Sequence, residues 1–175
     1  MNLKKSSYRQ QKLESYFLKA KPQKKEAVPL FPDISTISCE RLVNMITSNS
    51  EFLLVDARYD YEFQGGHIKN AVNAATPENL IPVLKAGVPI IIYCEYSIKR
   101  GPTLLRFLRN YDRKINAENY PMLTFPELYL LEGGYSAFFK NFEEFCEPRN
   151  YIQEKHPAFK GIRSKRQKHS RRRFI

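Results

Sequence analysis

The sequence predicts an α/β protein with a mostly parallel central sheet of about five strands and helices on both faces. Two observations carry this expectation. Short apolar runs without polar alternation recur along the chain, as in "EFLLVDAR" (51–58), "PIIIY" (89–93) and "LYLL" (128–131). Such runs suit strands buried on both faces, as parallel strands are. Segments of helical periodicity lie between and after them, and that alternation is the pattern of a parallel sheet.

Each element has a local reason. Ser38 can cap a helix that runs to about Ser48 and places Leu42, Val43 and Ile46 on one face. The run 51–58 is the first buried strand. "YDYEFQGG" (59–66) reads as a turn or short helix closed by glycines, and "HIKNAVNA" leads into another strand. Thr76 followed by Pro77 starts a helix, with proline at its first position, expected to end near Gly87. Ile90–Tyr93 is a buried strand ending at Cys94. A helix opens at Arg100 with Pro102 in its first turn, and Leu104, Leu105, Leu108 and Tyr111 follow at helical spacing. "LYLLEGG" (128–134) is one more strand closed by glycines. Tyr135 to Phe145 is an amphipathic helix whose Phe138, Phe139, Phe142 and Phe145 fit a core face.

The net charge of +11 invites a nucleic-acid reading, but its distribution opposes one. Residues 1–25 carry eight Lys/Arg and one Glu, and residues 160–175 carry eight Lys/Arg and no acid, which leaves 13 basic and 17 acidic residues between them. The fold is therefore expected over 30–160, mildly acidic, between a basic tail at 1–29 and another at 161–175. Direct nucleic-acid specificity is not expected, because the charge lies outside the folded part. No apolar run approaches the ~20 residues of a membrane span. Met1–Lys25 is polar and basic, unlike a secretory signal. Cys39, Cys94 and Cys146 are few and far apart, which points to a reducing compartment and to neither a disulfide framework nor a metal cluster.

The chemistry concentrates in "CEYSIKRGP" (94–102). In open parallel sheets ligands bind beyond the carboxyl ends of the strands, and Cys94 stands at such an end. The sheet does not need the amides of Glu95, Tyr96, Ser97, Ile98, Lys99 and Arg100, and those nearest Arg100 belong to a helix start. Curled around a centre they form a nest for an anion. Arg100 can grip two phosphate oxygens. The same positive field favours a thiolate at Cys94, so nucleophile, oxyanion stabiliser and substrate anchor coincide. Asp56 and Arg58 read as a structural ion pair. His67 reads as a hydrogen-bonded scaffold residue.

Four motifs then converge. "CEYSIKRGP" resembles the "CEFSSERGP" loop of the cell-division-cycle dual-specificity phosphatases, the M-phase inducer phosphatases. "VDARYDYEFQGGHIKNAVN" (55–73) is similar to their "VDCRYPYEYEGGHIKGAVN". "YPMLTFPELYLLEGGYSAFF" (120–139) and "CEPRNY" (146–151) resemble their C-terminal half. The resemblance implies a rhodanese-like fold and removal of phosphate from Tyr and Thr of cyclin-dependent kinases. It assigns Cys94 as nucleophile through a phosphocysteine and Arg100 as phosphate holder, with the loop amides completing the cradle and no metal or cofactor needed. Tyr93 stands where the family has His, Lys99 where it has Glu, Ala57 where it has a resolving Cys, and Thr103 where it has a docking Arg. With Lys99 in place of an acid, Glu95 is the general-acid candidate left in the loop; alternatively the substrate monoanion supplies its own proton. Arg106, Arg109 and Arg113, with Tyr120, are the candidates for docking a kinase–cyclin complex. The protein is expected in nucleus and cytoplasm, as a monomer. An arsenate reductase, or a non-catalytic phosphoprotein-binding module on the same fold, are the competing readings.

A separate motif lies in the first tail. "QQKLESYF" (10–17) resembles the peptide by which replication proteins bind the DNA sliding clamp, with Gln10, Leu13, Tyr16 and Phe17 at its four positions. One helical turn would put Leu13, Tyr16 and Phe17 on one face as an apolar plug.

Overall fold

A computed structural model describes residues 33–162. Its centre is β5 (Ile90–Tyr93), all four residues of which are buried. β1 (Thr36–Ile37), β2 (Leu53–Asp56), β4 (Val72–Asn73) and β6 (Leu128–Leu131) join it in one five-stranded sheet of order β1-β6-β5-β2-β4. Every pairing in that sheet is parallel. A second ladder pairs β3 (His67–Ile68) antiparallel with β7 (Cys146–Glu147).

The side-chain alternation of β5 builds two cores. Ile91 and Tyr93 join a cluster with Cys39 and Leu42 of α1 (Cys39–Thr47) and with Tyr135 and Phe138 of α5 (Gly134–Phe142). Ile90 and Ile92 therefore face the opposite side, where α4 (Arg100–Ile115) lies against β5 and β6 and buries Leu104, Leu105 and Leu108. Each fully buried aliphatic side chain stabilises the fold by roughly 1.5–3 kcal/mol. The expected sheet with helices on both faces is therefore present. Ser38 caps α1 as expected, its hydroxyl accepting from the Arg41 amide at 3.2 Å. "YDYEFQ" does form a short helix, α2 (Asp60–Gln64).

The helix expected from Pro77 to near Gly87 is much shorter. α3 covers only Pro77–Leu80 and passes into a single 3-10 turn, Ile81–Val83. Pro82 has no amide to donate, and its ring opposes a continued α-helix. The stretch "HIKNAVNA", expected to lead into a strand, carries two short ones, β3 and β4, with Asn70 at φ +65° turning the chain between them. The helix from Tyr135 keeps its α form to Phe142 and ends in a 3-10 turn, Glu143–Phe145. Phe138 is fully buried, while Phe139, Phe142 and Phe145 pack part-buried against the core. The three cysteines are unpaired and buried.

One buried carboxylate controls how the chain enters β6. Asp112, on α4, is fully buried. Its oxygens accept from the amides of Thr124 (2.8 Å) and Phe125 (3.1 Å) and from Nδ2 of Asn116 (2.9 Å). Arg109 donates to the same carboxylate at 3.2 Å and to the carbonyls of Phe125 and Pro126 at 2.9 Å each. Removing the carboxylate strands two amides and a guanidinium, so Asp112→Ala should lower stability by about 2–4 kcal/mol in chemical denaturation.

Candidate active site

β5 delivers Cys94 at its carboxyl end, 3% exposed, and α4 begins six residues later. The turn between them reverses through Ser97, which takes φ +54°. Its shape is set from outside the loop. The amides of Tyr135 and Ser136, in the first turn of α5, donate to the carbonyls of Cys94 and Glu95 at 2.9 Å each. In a trans peptide the N–H points opposite to its C=O. The Glu95 and Tyr96 amides are therefore turned away from α5. Among the described residues, none of the amides of Glu95–Lys99 donates a hydrogen bond to the protein. The Ser97 hydroxyl is buried with no partner either.

Glycine permits this approach. A Cβ on Gly134 would lie 2.3 Å from the Cys94 carbonyl oxygen, 2.8 Å from that of Glu95 and 2.8 Å from the Ser97 amide nitrogen. Gly134 also takes φ +61°. On the other side, a Cβ on Gly101 would lie 3.6 Å from the Cys94 sulfur. The first turn of α4 thus sits against the thiol, and the positive end of its dipole faces a position where negative charge is favoured.

Arg100 is enclosed by carboxylates. Its Nη1 donates to Glu62 Oε2 at 2.5 Å and its Nη2 to Glu62 Oε1 at 3.0 Å. Nη2 also lies 3.4 Å from Glu154 Oε2 and 3.9 Å from Glu95 Oε2, and the guanidinium covers the Tyr59 ring at 4.9 Å. The two-pronged grip expected for phosphate is thus engaged by Glu62, because a carboxylate with no solvent exposure needs a cationic partner. Burial pushes the Glu62 carboxyl up, against the pull of the Arg100 hydrogen bonds. Burial alone would lower the guanidinium, but the Glu62 bonds and the charges of Glu62, Cys94 and Glu154 raise it overall. Arg100 is therefore cationic at any working pH, and three of its five N–H groups are free of the Glu62 grip.

Residues 38–141 match the family described as the rhodanese-like domain. The chain belongs to the rhodanese-like family. It is similar to M-phase inducer phosphatase 2 of Mus musculus, at 40% identity over 143 residues, covering 73% of this chain and 24% of that protein. It is also similar to M-phase inducer phosphatase 1 of Homo sapiens, at 35% identity over 167 residues, covering 79% of this chain and 32% of that protein. The chain spans about a quarter to a third of the length of these relatives. Its fold resembles that of a yeast protein tyrosine phosphatase of the rhodanese family, with a TM-score of 0.52, 19% identity and coverage of 65% of this chain and 90% of that one.

Within this rhodanese-like domain, Cys94 and Arg100 lie near one another at the two ends of the loop, and Tyr96, Ile98 and Lys99 line the exposed rim. Glu95 departs from the picture of a free acid. Its carboxylate accepts from the Tyr151 hydroxyl at 2.8 Å and from the Glu154 amide at 3.4 Å, which ties the loop to the C-terminal segment. Tyr93 turns its phenol into the core, where the hydroxyl accepts the Ile68 amide at 3.2 Å and burial raises its pKa well above the usual tyrosine range. Asp56 and Arg58 form a fully buried pair at 2.7 Å, with Arg58 also donating to the Gly66 carbonyl at 2.6 Å. His67 places Nδ1 2.9 Å from the Phe63 carbonyl and stacks on the Phe63 ring.

The docking candidates fare unequally. Arg106, Arg109 and Arg113 line one cavity of about 240 Å³ beside Asp33, Ile34 and Ser35, to which the Cys94 loop contributes no side chain. Arg109 is committed to the chain entering β6, as described above. Arg106 binds both oxygens of Asp33, at 2.8 and 3.0 Å. Arg113 and Tyr120 are exposed, Tyr120 at 88%. Gln10, Leu13, Tyr16 and Phe17 lie outside the described residues.

Glu62, Tyr151 and Glu154 did not emerge from the residues alone. Glu62 had one signal, its place inside the "YDYEFQGG" stretch of a matching motif. Glu154 had none, since its partner is set by the path of the chain after β7.

The Gly134 contact yields a direct test. Gly134→Ala should separate α5 from the loop, lower stability by about 1–3 kcal/mol and abolish anion binding at the loop. Thermal denaturation and titration with inorganic phosphate measure the two effects.

Proposed function

We propose that the protein is a cysteine-dependent protein phosphatase acting on Tyr and Thr of cyclin-dependent kinases and so promoting cell-cycle progression. The observation that supports it best is the set of undonated amides from Glu95 to Lys99, together with the orphan Ser97 hydroxyl, between Cys94 and Arg100. The Ser97 hydroxyl is a buried donor without an acceptor, which is costly, and a phosphoryl group would supply the oxygens that it and the loop amides lack. Similarity to M-phase inducer phosphatases adds the kinase as substrate class.

The chemistry follows from these positions. Cys94 attacks phosphorus as a thiolate; the S–P bond forms as the P–O bond to the substrate breaks. The departing oxygen takes a proton from the phosphate monoanion. Glu95, held by Tyr151 and the Glu154 amide, acts as a positioning residue for the loop. Arg100 and the loop amides gather the charge on the equatorial oxygens. Water then cleaves the S–P bond, releasing phosphate and restoring the thiol. A cysteine nucleophile of this kind needs no metal to generate it. Lys99 at the rim favours acidic or doubly phosphorylated segments, and Arg113 with Tyr120 offers the exposed part of a docking face.

The decisive measurement uses a doubly phosphorylated cyclin-dependent kinase–cyclin complex. Cys94→Ser should bind it with unchanged affinity and lose turnover by on the order of 10³-fold or more. Arg100→Lys should lose both binding and turnover, because an ammonium lacks the planar fork. Near wild-type turnover by either variant would sink the assignment, and thiol-dependent arsenate turnover without kinase dephosphorylation would favour a reductase.

We further propose that the first tail engages the DNA sliding clamp in the nucleus, on the strength of Gln10, Leu13, Tyr16 and Phe17. Full-length protein should bind the clamp in calorimetry, and a Tyr16→Ala, Phe17→Ala double variant should not, with phosphatase activity unchanged.

A further inference from the structure

The segment after β7 returns across the site and is pinned at several points. The Asn150 carbonyl accepts from the Tyr135 hydroxyl at 2.8 Å. Tyr151 packs edge-on to Tyr135, with centroids 5.4 Å apart, and bonds to Glu95. Ile152 fills the space over Gly65, where a Cβ would lie 2.3 Å from its Cδ1. The Glu154 carbonyl accepts from the Tyr61 hydroxyl at 2.7 Å, and Phe159 stacks on Tyr61 with centroids 4.4 Å apart. Between these anchors, Glu154 extends its carboxylate to within 3.4 Å of Arg100 Nη2.

Three carboxylates therefore surround one guanidinium, and they are not equivalent. The side chains of Glu62 and Glu95 are 0% and 6% exposed, whereas that of Glu154 is 27% exposed. Glu62 is locked by both guanidinium bonds and by the Tyr59 amide at 3.0 Å. Glu95 is locked by Tyr151 and the Glu154 amide. Glu154 is fixed at its main chain, and its carboxylate meets Nη2 of Arg100, the nitrogen that also donates to Glu62 Oε1. An incoming phosphoryl group needs the same donors, and its negative oxygens cannot share them with an adjacent carboxylate without strong repulsion.

We propose that Glu154 is a built-in competitor for the phosphate: its carboxylate stands on Arg100 while the site is empty and must swing away for substrate to bind. This deepens the phosphatase reading and rests on it. Because the main chain at Glu154 is anchored on both sides, release is a side-chain rotation and not the opening of a lid. Such rotations are fast, so the device acts as a constant handicap on phosphate affinity with no lag in turnover. It sets how strongly a substrate must contribute through contacts outside the phosphoryl group.

The test compares wild type with Glu154→Gln and Glu154→Ala in the full chain. KM and kcat are measured for an aryl phosphate, and the inhibition constant for inorganic phosphate. Both variants should lower KM and the phosphate inhibition constant together, by about 2–10-fold, with kcat within about twofold of wild type. Unchanged or higher values of both constants in an active enzyme would overturn the proposal and show that Glu154 merely orients Arg100. Wild-type protein that hydrolyses no aryl phosphate would instead remove the phosphatase reading, and this one with it.

Discussion

Two hydrogen bonds of 2.9 Å, from the first amides of α5 to the carbonyls of Cys94 and Glu95, hold the site in its shape. They draw the carbonyls to one side, and peptide planarity then turns the following amides to the other. Everything the loop offers an anion depends on that orientation. It requires α5 to begin directly after β6, beside β5 in the sheet, and it requires a residue without a side chain at Gly134. The parallel pairing of β5 with β6 supplies the first condition. The paired glycines 133 and 134, at φ +66° and +61°, supply the second. The Asp112 network belongs to the same construction, because it fixes the chain that enters β6 and so the height at which α5 starts.

The site also handles charge in two contrasting ways. Arg58 and Asp56 are paired one to one, fully buried, with the guanidinium 3.9 Å from the Tyr135 ring centroid. That cation is closed to ligands and braces α5 from beneath. Arg100 is left partly open, 19% exposed, among acids it does not fully satisfy. Breaking either pair from one side would leave a buried charge, which is why both are expensive to alter. Only at Arg100 can an added anion take over part of the role of the carboxylates.

Much of this is legible in the chain itself. The buried strands announced themselves as runs of Ile, Leu and Val, and α4 by Arg-Gly-Pro before a periodic apolar face. The cradle followed from a cysteine at a strand end and an arginine at a helix start. The failures share a cause. The helix expected from Pro77 to near Gly87 is too long because its local start signal carries no information about Pro82, whose missing amide ends it. Arg109 looked like an exposed docking residue because its partners, the carbonyls of Phe125 and Pro126, are brought to it only by the turn back to β6. Glu62 lies 38 residues from Arg100 in sequence, and Tyr151 lies 56 from Glu95. Helix and strand periodicities carry no information about such contacts.

Tyr93 shows how a departure from the family pattern can be absorbed. Histidine next to the nucleophile would place a titrating, polar ring under the loop. Tyrosine places a larger ring there, 6.3 Å from the Tyr135 ring and 5.9 Å below the Arg58 guanidinium. Its hydroxyl reaches the Ile68 amide, so β5 is bonded to the β3–β7 ladder through a side chain. The same ladder starts the segment that carries Tyr151 and Glu154. The substitution therefore exchanges a group that could tune the thiol for one that steadies the floor and, through β7, the strap above it. On the proposed phosphatase reading, control over phosphate then lies less with the residue before Cys94 than with the carboxylates that surround Arg100.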